Sequence, residues 1–374
     1  MCVLGFAAIA ALAFNGGGYT PGSWALGTLG FAAVVALALL GREVRLGALG
    51  LVCLCASLVL TAWTFASAVW GIPGAEAGRE SARELLYLAG FAAFLAVVEA
   101  ATVRALLVGV LLGTFALAAY GLGERAAHGP GHDAFEGQLL IRPLGYANAL
   151  GILCAVGFVI AIGLLLDERR PLGVAWLAGT GATLAIAAAL TSSRGAWLAC
   201  ALGLTTLAVV RVRARVHCRP HIWGTLGGLV AVAAAVLFVL SPTSALGDRA
   251  AYWRVAAEDV REHPVLGSGA GTFDDYWSAN RPVATNVHDA HNLYLESLAE
   301  LGPLGLLLVL AVLLTPLVAL AAVRSDPEIA VAGGAYVAFL VHVGLDWDWE
   351  MPATVLAGLA CGAALIAATR RAQV

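Results

Sequence analysis

The sequence predicts an all-α fold: a polytopic helical membrane protein with about twelve transmembrane helices and a partly helical external segment. Three observations carry this. Of 374 residues, 61% are hydrophobic and only 12% are charged, where a soluble domain of this size carries about 25% charged residues. Mean hydropathy is +0.88. Apolar runs near ~20 residues, the length that crosses a bilayer, recur from one end of the chain to the other. Backbone groups in hydrocarbon must be bonded within their own segment, so these Ala/Leu/Val/Gly-rich runs read as helices. Residues 1–374 form a single transmembrane domain.

The elements follow in order. The first run, 1–14, is short for a crossing and lacks the charged leader and cleavage site of a secretory signal, so it reads as a truncated helix or a misplaced start. Runs at 24–40 and 46–70 are separated by Arg42-Glu43-Val44-Arg45. Those at 84–98 and 104–121 meet at Glu99 and Arg104. A long polar connection, 122–146, precedes 147–166 and 172–190, which are divided by Asp167-Glu168-Arg169-Arg170. The run 195–210 follows with almost no loop, then 222–240 after an arginine-rich stretch. The second long connection, 241–291, is a large external loop with short helices inside it, among them DRAAYWRVAAEDVRE, ended by His263-Pro264. The last runs are 292–322, 329–344 and 351–368. Eleven spans is the alternative if the first is not a crossing.

Orientation follows from arginine placement, since cytoplasmic connections are enriched in basic residues. There is no lysine. Alternate connections hold Arg42, Arg45, Arg104, Arg169, Arg170, Arg211, Arg213, Arg215, Arg219, Arg324, Arg370 and Arg371. That face is expected to be cytoplasmic and to carry both termini. The opposite face takes the remaining arginines, most of the acids and both long connections, so chemistry is expected there; loops of that length in a compact protein are usually functional. The seven cysteines fall mostly inside apolar runs, with none at metal-ligand spacing, and read as small buried hydrophobes.

The most informative run is HNLYLESLAELGPLGLLLVL. It sets His291-Asn292 where a polar segment enters a long apolar helix, with Gly302 and Gly305 marking a tight turn or close helix approach just inside the membrane. Histidine titrates near neutral pH, which suits proton transfer at a membrane boundary. Its bland reading is a hydrogen-bonded histidine at a helix start. Arg194, in LTSSRGAWLAC, is a membrane-edge charge on the face that arginine avoids, which marks it as functional by default or as a snorkelling anchor. Arg249 and Trp253 lie four apart and share a helix face. Arg254 follows, in a stretch that reads equally as a solvated helix on the membrane surface. Arg142, in IRPLGYANALG, is a further external arginine whose bland reading is a pairing with Glu136 or Asp133. Several fixed guanidiniums are what a diphosphate needs, because each offers paired donors and a permanent charge.

GLDWDWEMP alternates Asp346, Asp348 and Glu350 with Trp347 and Trp349. It either binds sugar hydroxyls, with the rings stacking on sugar faces, or forms an aromatic belt with solvated acids. His288, Asp289 and His291 are too few for a metal site. The Gly267-Ser268-Gly269-Ala270-Gly271 stretch lacks the strand, helix and lysine of a phosphate loop and reads as a tight turn.

Four of these stretches, in this order, resemble the O-antigen ligase and O-antigen polymerase superfamily of membrane glycosyltransferases. They are Arg142-Pro-Leu-Gly-Tyr-Ala-Asn148; Ser192-Ser-Arg194-Gly-Ala-Trp197; Arg249-Ala-Ala-Tyr-Trp253 running on to His263-Pro-Val-Leu-Gly267-Ser-Gly269-Ala-Gly-Thr-Phe273; and His291-Asn292 with Gly302 and Gly305. The resemblance implies catalytic roles for His291, Arg194 and Arg249. Arg194 and Arg249 would hold a diphosphate and His291 would take the acceptor proton, with Asp289 or Asn292 orienting the imidazole. Substrate contacts are expected from Arg142, Asn148, Arg254, Asn292, Asp346 and Asp348. The resemblance further implies an undecaprenyl-diphosphate-linked glycan donor and a glycan, lipid or protein acceptor. It implies no metal, no cofactor and no nucleic-acid partner, and a multi-pass place in the bacterial cytoplasmic membrane with the site on the periplasmic face. Ligase and polymerase remain open. A transporter of the lipid-linked glycan is the reading from another class, and it would require charges deep in several spans and broken helices in matched halves.

Overall fold

The computed structural model describes residues 1–41, 43–72, 75–215, 247–322 and 326–370. The expected span at 222–240, the opening of the 241–291 segment, Cys218, and Arg42, Arg219, Arg324 and Arg371 lie outside the described residues. The described chain is helical, with no strand. The helices are α1 (Cys2–Ala13), α2 (Pro21–Gly41), α3 (Gly47–Ala66), α4 (Ala77–Val97), α5 (Val103–His128), α6 (Ala147–Leu165), α7 (Pro171–Thr191) and α8 (Arg194–Arg215). After them come α9 (Arg249–Glu262), α10 (Phe273–Asn280), α11 (Leu293–Ala322), α12 (Pro327–His342) and α13 (Pro352–Thr369).

Every apolar run that falls on described residues is a helix. Eight of these helices are long and apolar enough to cross a membrane; α1 and α12 are apolar but shorter. α4 falls outside the eight because it starts at Ala77, seven residues before the expected 84, and so adds Arg79, Glu80 and Arg83 to Glu84. The helix accommodates them because Arg83 is paired with Glu80 and with Glu350 from a distant loop. α5 likewise runs on to His128, which shortens the first long connection.

α13 is the axis of the bundle. Its side chains are buried almost without exception, and α1, α4, α5, α6, α11 and α12 pack around it. It is rich in Ala and Gly, the small residues that let helix backbones approach closely where lipid gives no hydrophobic drive. α2 lies outermost, packed on α4, and turns most of its leucines outward. The cysteines of α3, α6 and α13 (Cys53, Cys154, Cys361) are buried, as expected, while Cys55 is exposed on the other face of α3.

The two ends of the bundle differ. At one, Arg211 pairs with Asp167, and Arg370 donates to the carbonyls of Leu95 and Val98. The other gathers both long connections. There α9 and α10 build a small second core, in which Tyr252, Val255 and Ala256 meet Phe273, Tyr276 and Trp277. The buried face of α9 is the 252, 255, 256, 259 stripe, so this helix packs on its own neighbours and on α11.

The turn at 267–271 joins this core to the bundle. Ser268 and Gly269 donate backbone hydrogen bonds to Ala299 and Glu300, and Ile72 and Glu76 donate to the carbonyls of Ser268 and Ala270. Gly302 is the bend in α11, with φ 68°. A Cβ there would stand 2.5 Å from the Val265 carbonyl oxygen, and one on Gly267 would stand 2.3 Å from the Glu300 carbonyl. The close approach expected at Gly302 is therefore a contact between α11 and the 265–267 strand of chain, and both glycines are required by it.

Candidate active site

Asp346 organises the loop-rich end. It sits between α12 and α13 and is only 2% exposed. Its Oδ2 accepts from Arg249 Nη2 at 2.5 Å and from Asn148 Nδ2 at 2.7 Å. Its Oδ1 accepts from the Tyr146 hydroxyl and, at 3.0 Å, from its neighbour's backbone N–H at Trp347. Asn148 and Tyr146 stand at the start of α6, and Arg249 is the first residue of α9. One carboxylate thus ties three separate stretches of chain together. Burial pushes its pKa up, but the Arg249 guanidinium, with the imidazoles of His291 and His342, holds it below the usual carboxylate range. The Arg249 side chain keeps 25% exposure.

His291 is near enough to this pair for the charges of both Asp346 and Arg249 to act on its ring. It adopts a left-handed backbone, φ 56°, a conformation that costs a non-glycine residue energy and clusters at functional sites. Its ring packs on Tyr252 with centroids 5.1 Å apart. Its Nδ1 meets the backbone carbonyl of Asp289 at 3.0 Å, which leaves Nε2 to act. Burial lowers its pKa below the ordinary histidine value, offset in part by Asp346 and Asp348.

Of the two expected orienters, Asp289 is the one that meets the ring, through its backbone carbonyl. The Asn292 side chain instead caps α11, its Oδ1 accepting from the N–H groups of Tyr294 and Leu295, both at 3.1 Å. Asparagine is a strong helix cap for this reason. His288 turns outward to Asp274 at 3.1 Å.

Arg194 opens α8 two residues after Ser192, which turns the chain through a left-handed conformation at φ 53°. Its side chain is exposed. The next residue, Gly195, abuts His342: a Cβ there would stand 3.4 Å from His342 Nε2. His342 is buried and holds Asp348 Oδ2 through Nδ1 at 3.1 Å. The Arg194 turn therefore rests on the same 342–350 segment that supplies Asp346. Arg254 is exposed on α9.

Arg142 stands apart. It pairs with Glu124, at 3.7 Å, rather than with Glu136 or Asp133. It lines a separate hollow of about 360 Å³ beneath the 129–141 connection.

Of the two readings of GLDWDWEMP, solvated acids in an aromatic belt is overturned. Asp346, Asp348 and Glu350 are all buried, and each takes a cationic or titratable partner: Arg249, His342 and Arg83. Trp347 stacks against Tyr146 with centroids 4.6 Å apart.

A second group was not foreseen. Glu80 and Glu84 on α4, and Glu296 and Glu300 on α11, turn inward around Arg83. Glu300 accepts from the N–H groups of Gly271 and Phe273, both at 2.9 Å, and Glu296 accepts from Ala290 N–H at 2.5 Å. Burial pushes the nearby Asp289 carboxyl up to about 7 and holds Glu350 well above the usual range, although Arg83 opposes both. The legible signal was spacing: each helix carries two glutamates four apart, hence on one face, at the edge of an otherwise apolar run.

Comparison with known families gives one match. Residues 179–310 match the family model described as O-antigen ligase. That stretch is a third of the chain and runs from α7 into α11. It contains Arg194, Arg249, Arg254, His291, Asn292, Gly302 and Gly305, and leaves Arg142, Asn148 and the Asp346 loop outside. A comparison with curated proteins finds no match. Over residues 179–310 the chain is therefore similar to the O-antigen ligase family, and its long apolar helices are those of a multi-pass membrane protein.

Proposed function

We propose that this protein is a glycosyltransferase that moves a glycan from undecaprenyl diphosphate to an acceptor hydroxyl at the external face of the bacterial cytoplasmic membrane. The observation that carries the reading is Arg249, anchored by a buried carboxylate yet a quarter exposed, beside an imidazole whose Nδ1 is already engaged. The chemistry follows. The acceptor oxygen attacks the anomeric carbon and the bond to the diphosphate oxygen breaks, with inversion. His291, neutral because burial disfavours its cation, takes the hydroxyl proton at Nε2. Negative charge grows on the departing diphosphate, and Arg249 and Arg194 are assigned to it; preorganised cations of this kind lower such barriers by roughly 3–4 kcal/mol each. Asp346 fixes Arg249 and is a positioning residue, as are Asn148 and Tyr146. Arg142 and Arg254 are given no step.

The orientation in this reading puts both termini and the Arg211 and Arg370 end in the cytoplasm, as basic-residue placement requires. The test is incubation of purified protein with a polyprenyl-diphosphate-linked repeat unit, followed by mass analysis. Release of undecaprenyl diphosphate with transfer to a separate acceptor means a ligase; lengthened lipid-linked glycan means a polymerase. His291→Ala and Arg249→Ala are each expected to lower the rate at least ~100-fold. Full activity in either variant removes that residue from the mechanism.

A further inference from the structure

α5 continues past its apolar run, through residues 122–128, to His128. Gly121, Glu124, Arg125 and His128 recur at helical spacing and so share one face of that extension, and all four line the hollow of about 360 Å³ beneath the 129–141 connection. A helix face turned toward its own chain is ordinarily apolar. This one is polar, and the chain above it stands off. The space exceeds twice the roughly 150 Å³ that admits a benzene ring and falls within the ~300–1,000 Å³ of ordinary ligand sites.

The roof of the hollow is pinned. Asp133 and Gly137 exchange backbone hydrogen bonds at 2.8 and 3.0 Å. Asp133 Oδ1 accepts from the N–H groups of Phe135 and Glu136 at 2.8 and 3.0 Å. Arg125 Nη1 donates to the Gln138 carbonyl at 2.7 Å, and the Leu140 N–H donates to the Leu190 carbonyl at 3.0 Å. The opening is therefore a built part of the fold.

Its lining carries both signs. Arg125 and Arg142 offset Glu124 and Asp133, and His132 adds a second imidazole to that of His128. Arg142 meets Glu124 only at 3.7 Å, with side chains 68% and 35% exposed, so both retain hydrogen-bonding capacity. Leu139 and Ile141 supply an apolar wall. Closely spaced donors and acceptors without net charge match a ligand that offers both from one ring, which is what vicinal hydroxyls do; the apolar wall suits the C–H face of such a ring.

The hollow adjoins the reaction centre. Glu136, in the roof, takes the Ala147 N–H at the start of α6 and feels the charge of Asp346. Asn148, next in that helix, donates to Asp346. Leu190, which anchors the roof, precedes Arg194 by one helical turn. We propose that this hollow is a subsite for an uncharged sugar of the glycan, one other than the ring at the reacting carbon. Its part in transfer rests on the glycosyl-transfer reading above; its preference for a sugar does not.

The test uses full-length protein in phosphatidylcholine nanodiscs and the repeat-unit glycan freed from its polyprenyl diphosphate by mild acid. Nuclear magnetic saturation transfer from the protein to the sugar protons is expected. Glu124→Ala removes an acceptor and should weaken binding about tenfold, the effect of losing one hydrogen bond to a charged group. Gly131→Trp fills the hollow from a position where a Cβ meets nothing within 4 Å and should weaken binding at least as much. Both variants should elute as wild type; if one fails to fold, the other decides. Glycerophosphoethanolamine, which carries both charges and no sugar ring, should not displace the glycan. In the transfer assay the variants should raise KM and leave kcat unchanged, as loss of uniform binding does. A rise for the donor assigns the hollow to the donor's glycan, and a rise for the acceptor assigns it to the acceptor's. No saturation transfer with wild-type protein, equal binding in the folded variants, or displacement by glycerophosphoethanolamine overturns the subsite. Unchanged KM for both substrates overturns its part in transfer. Absence of any diphosphate release by wild-type protein refutes the transfer reading instead, and the binding measurements then decide the subsite alone.

Discussion

Replacing Asp346 by Asn separates charge from shape at the centre of the site. The two Oδ1 bonds, from Tyr146 and the Trp347 N–H, survive if the amide oxygen takes that position. The amide nitrogen then replaces Oδ2 and faces two donors, Arg249 Nη2 and Asn148 Nδ2. A hydrogen bond to a charged group contributes about 1.5–3 kcal/mol and a neutral one about 1 kcal/mol, so losing both costs roughly 2–4 kcal/mol. This lies between the ~0–1 kcal/mol of an exposed pair and the ~3–5 kcal/mol of breaking a buried one, as befits a carboxylate at 3% and a guanidinium at 25% side-chain exposure. Arg249→Met alone leaves a charged Asp346 with three donors remaining, and the double variant removes the clash with Arg249 while that with Asn148 stays. A double-mutant cycle should therefore show coupling of about 2 kcal/mol. Unfolding in mixed micelles, followed by tryptophan fluorescence, measures it. Stability losses that add to within ~0.5 kcal/mol, the range for independent sites, would refute the claim that these groups act as a pair.

Three further outcomes are expected. Gly302→Ala places a methyl 2.5 Å from the Val265 carbonyl oxygen at a positive φ; the strain alone is about 1–3 kcal/mol, and it should appear as a lower unfolding midpoint with loosened packing of the 263–273 segment, read by proteolysis. The acid limb of the transfer-rate profile should fall below the ordinary histidine value, because burial lowers the His291 pKa, and His291→Ala should abolish that limb; a limb above pH 7 contradicts the assignment. Asp289 is raised to about 7 in the folded protein, so the folded state holds more protons than the unfolded one between ~4 and 7. Its contribution is complete below that window and is lost as pH rises through it. Asp289→Asn should flatten this part of the stability profile, and an unchanged slope would show that other groups set it.

The helical class was legible because lipid leaves little choice: each run that falls on described residues is a helix, from α1 to α13. Boundaries were less so. Composition places charged residues outside the membrane, yet α4 begins seven residues early because Arg83 finds Glu350, a partner 267 positions away. Arg249 and His291 were recognisable as isolated polar groups at helix starts, and both lie at Asp346. Their supports were not, since hydrogen bonds such as Asn148 to Asp346 join residues 198 positions apart. Arg142 reads in sequence as a further external arginine and a substrate contact, and its pairing with Glu124 beside a separate hollow sets it apart from Arg249.

The Asp-Trp-Asp-Trp-Glu run fastens α9, α12 and α4 through acids two positions apart. Its register therefore matters more than its composition. Exchanging either tryptophan for another bulky apolar residue leaves every clasp in reach. Inserting a single residue between Asp346 and Glu350 moves at least one acid away from its cation, and three helices contributed by distant parts of the gene would lose their common fastening at one stroke.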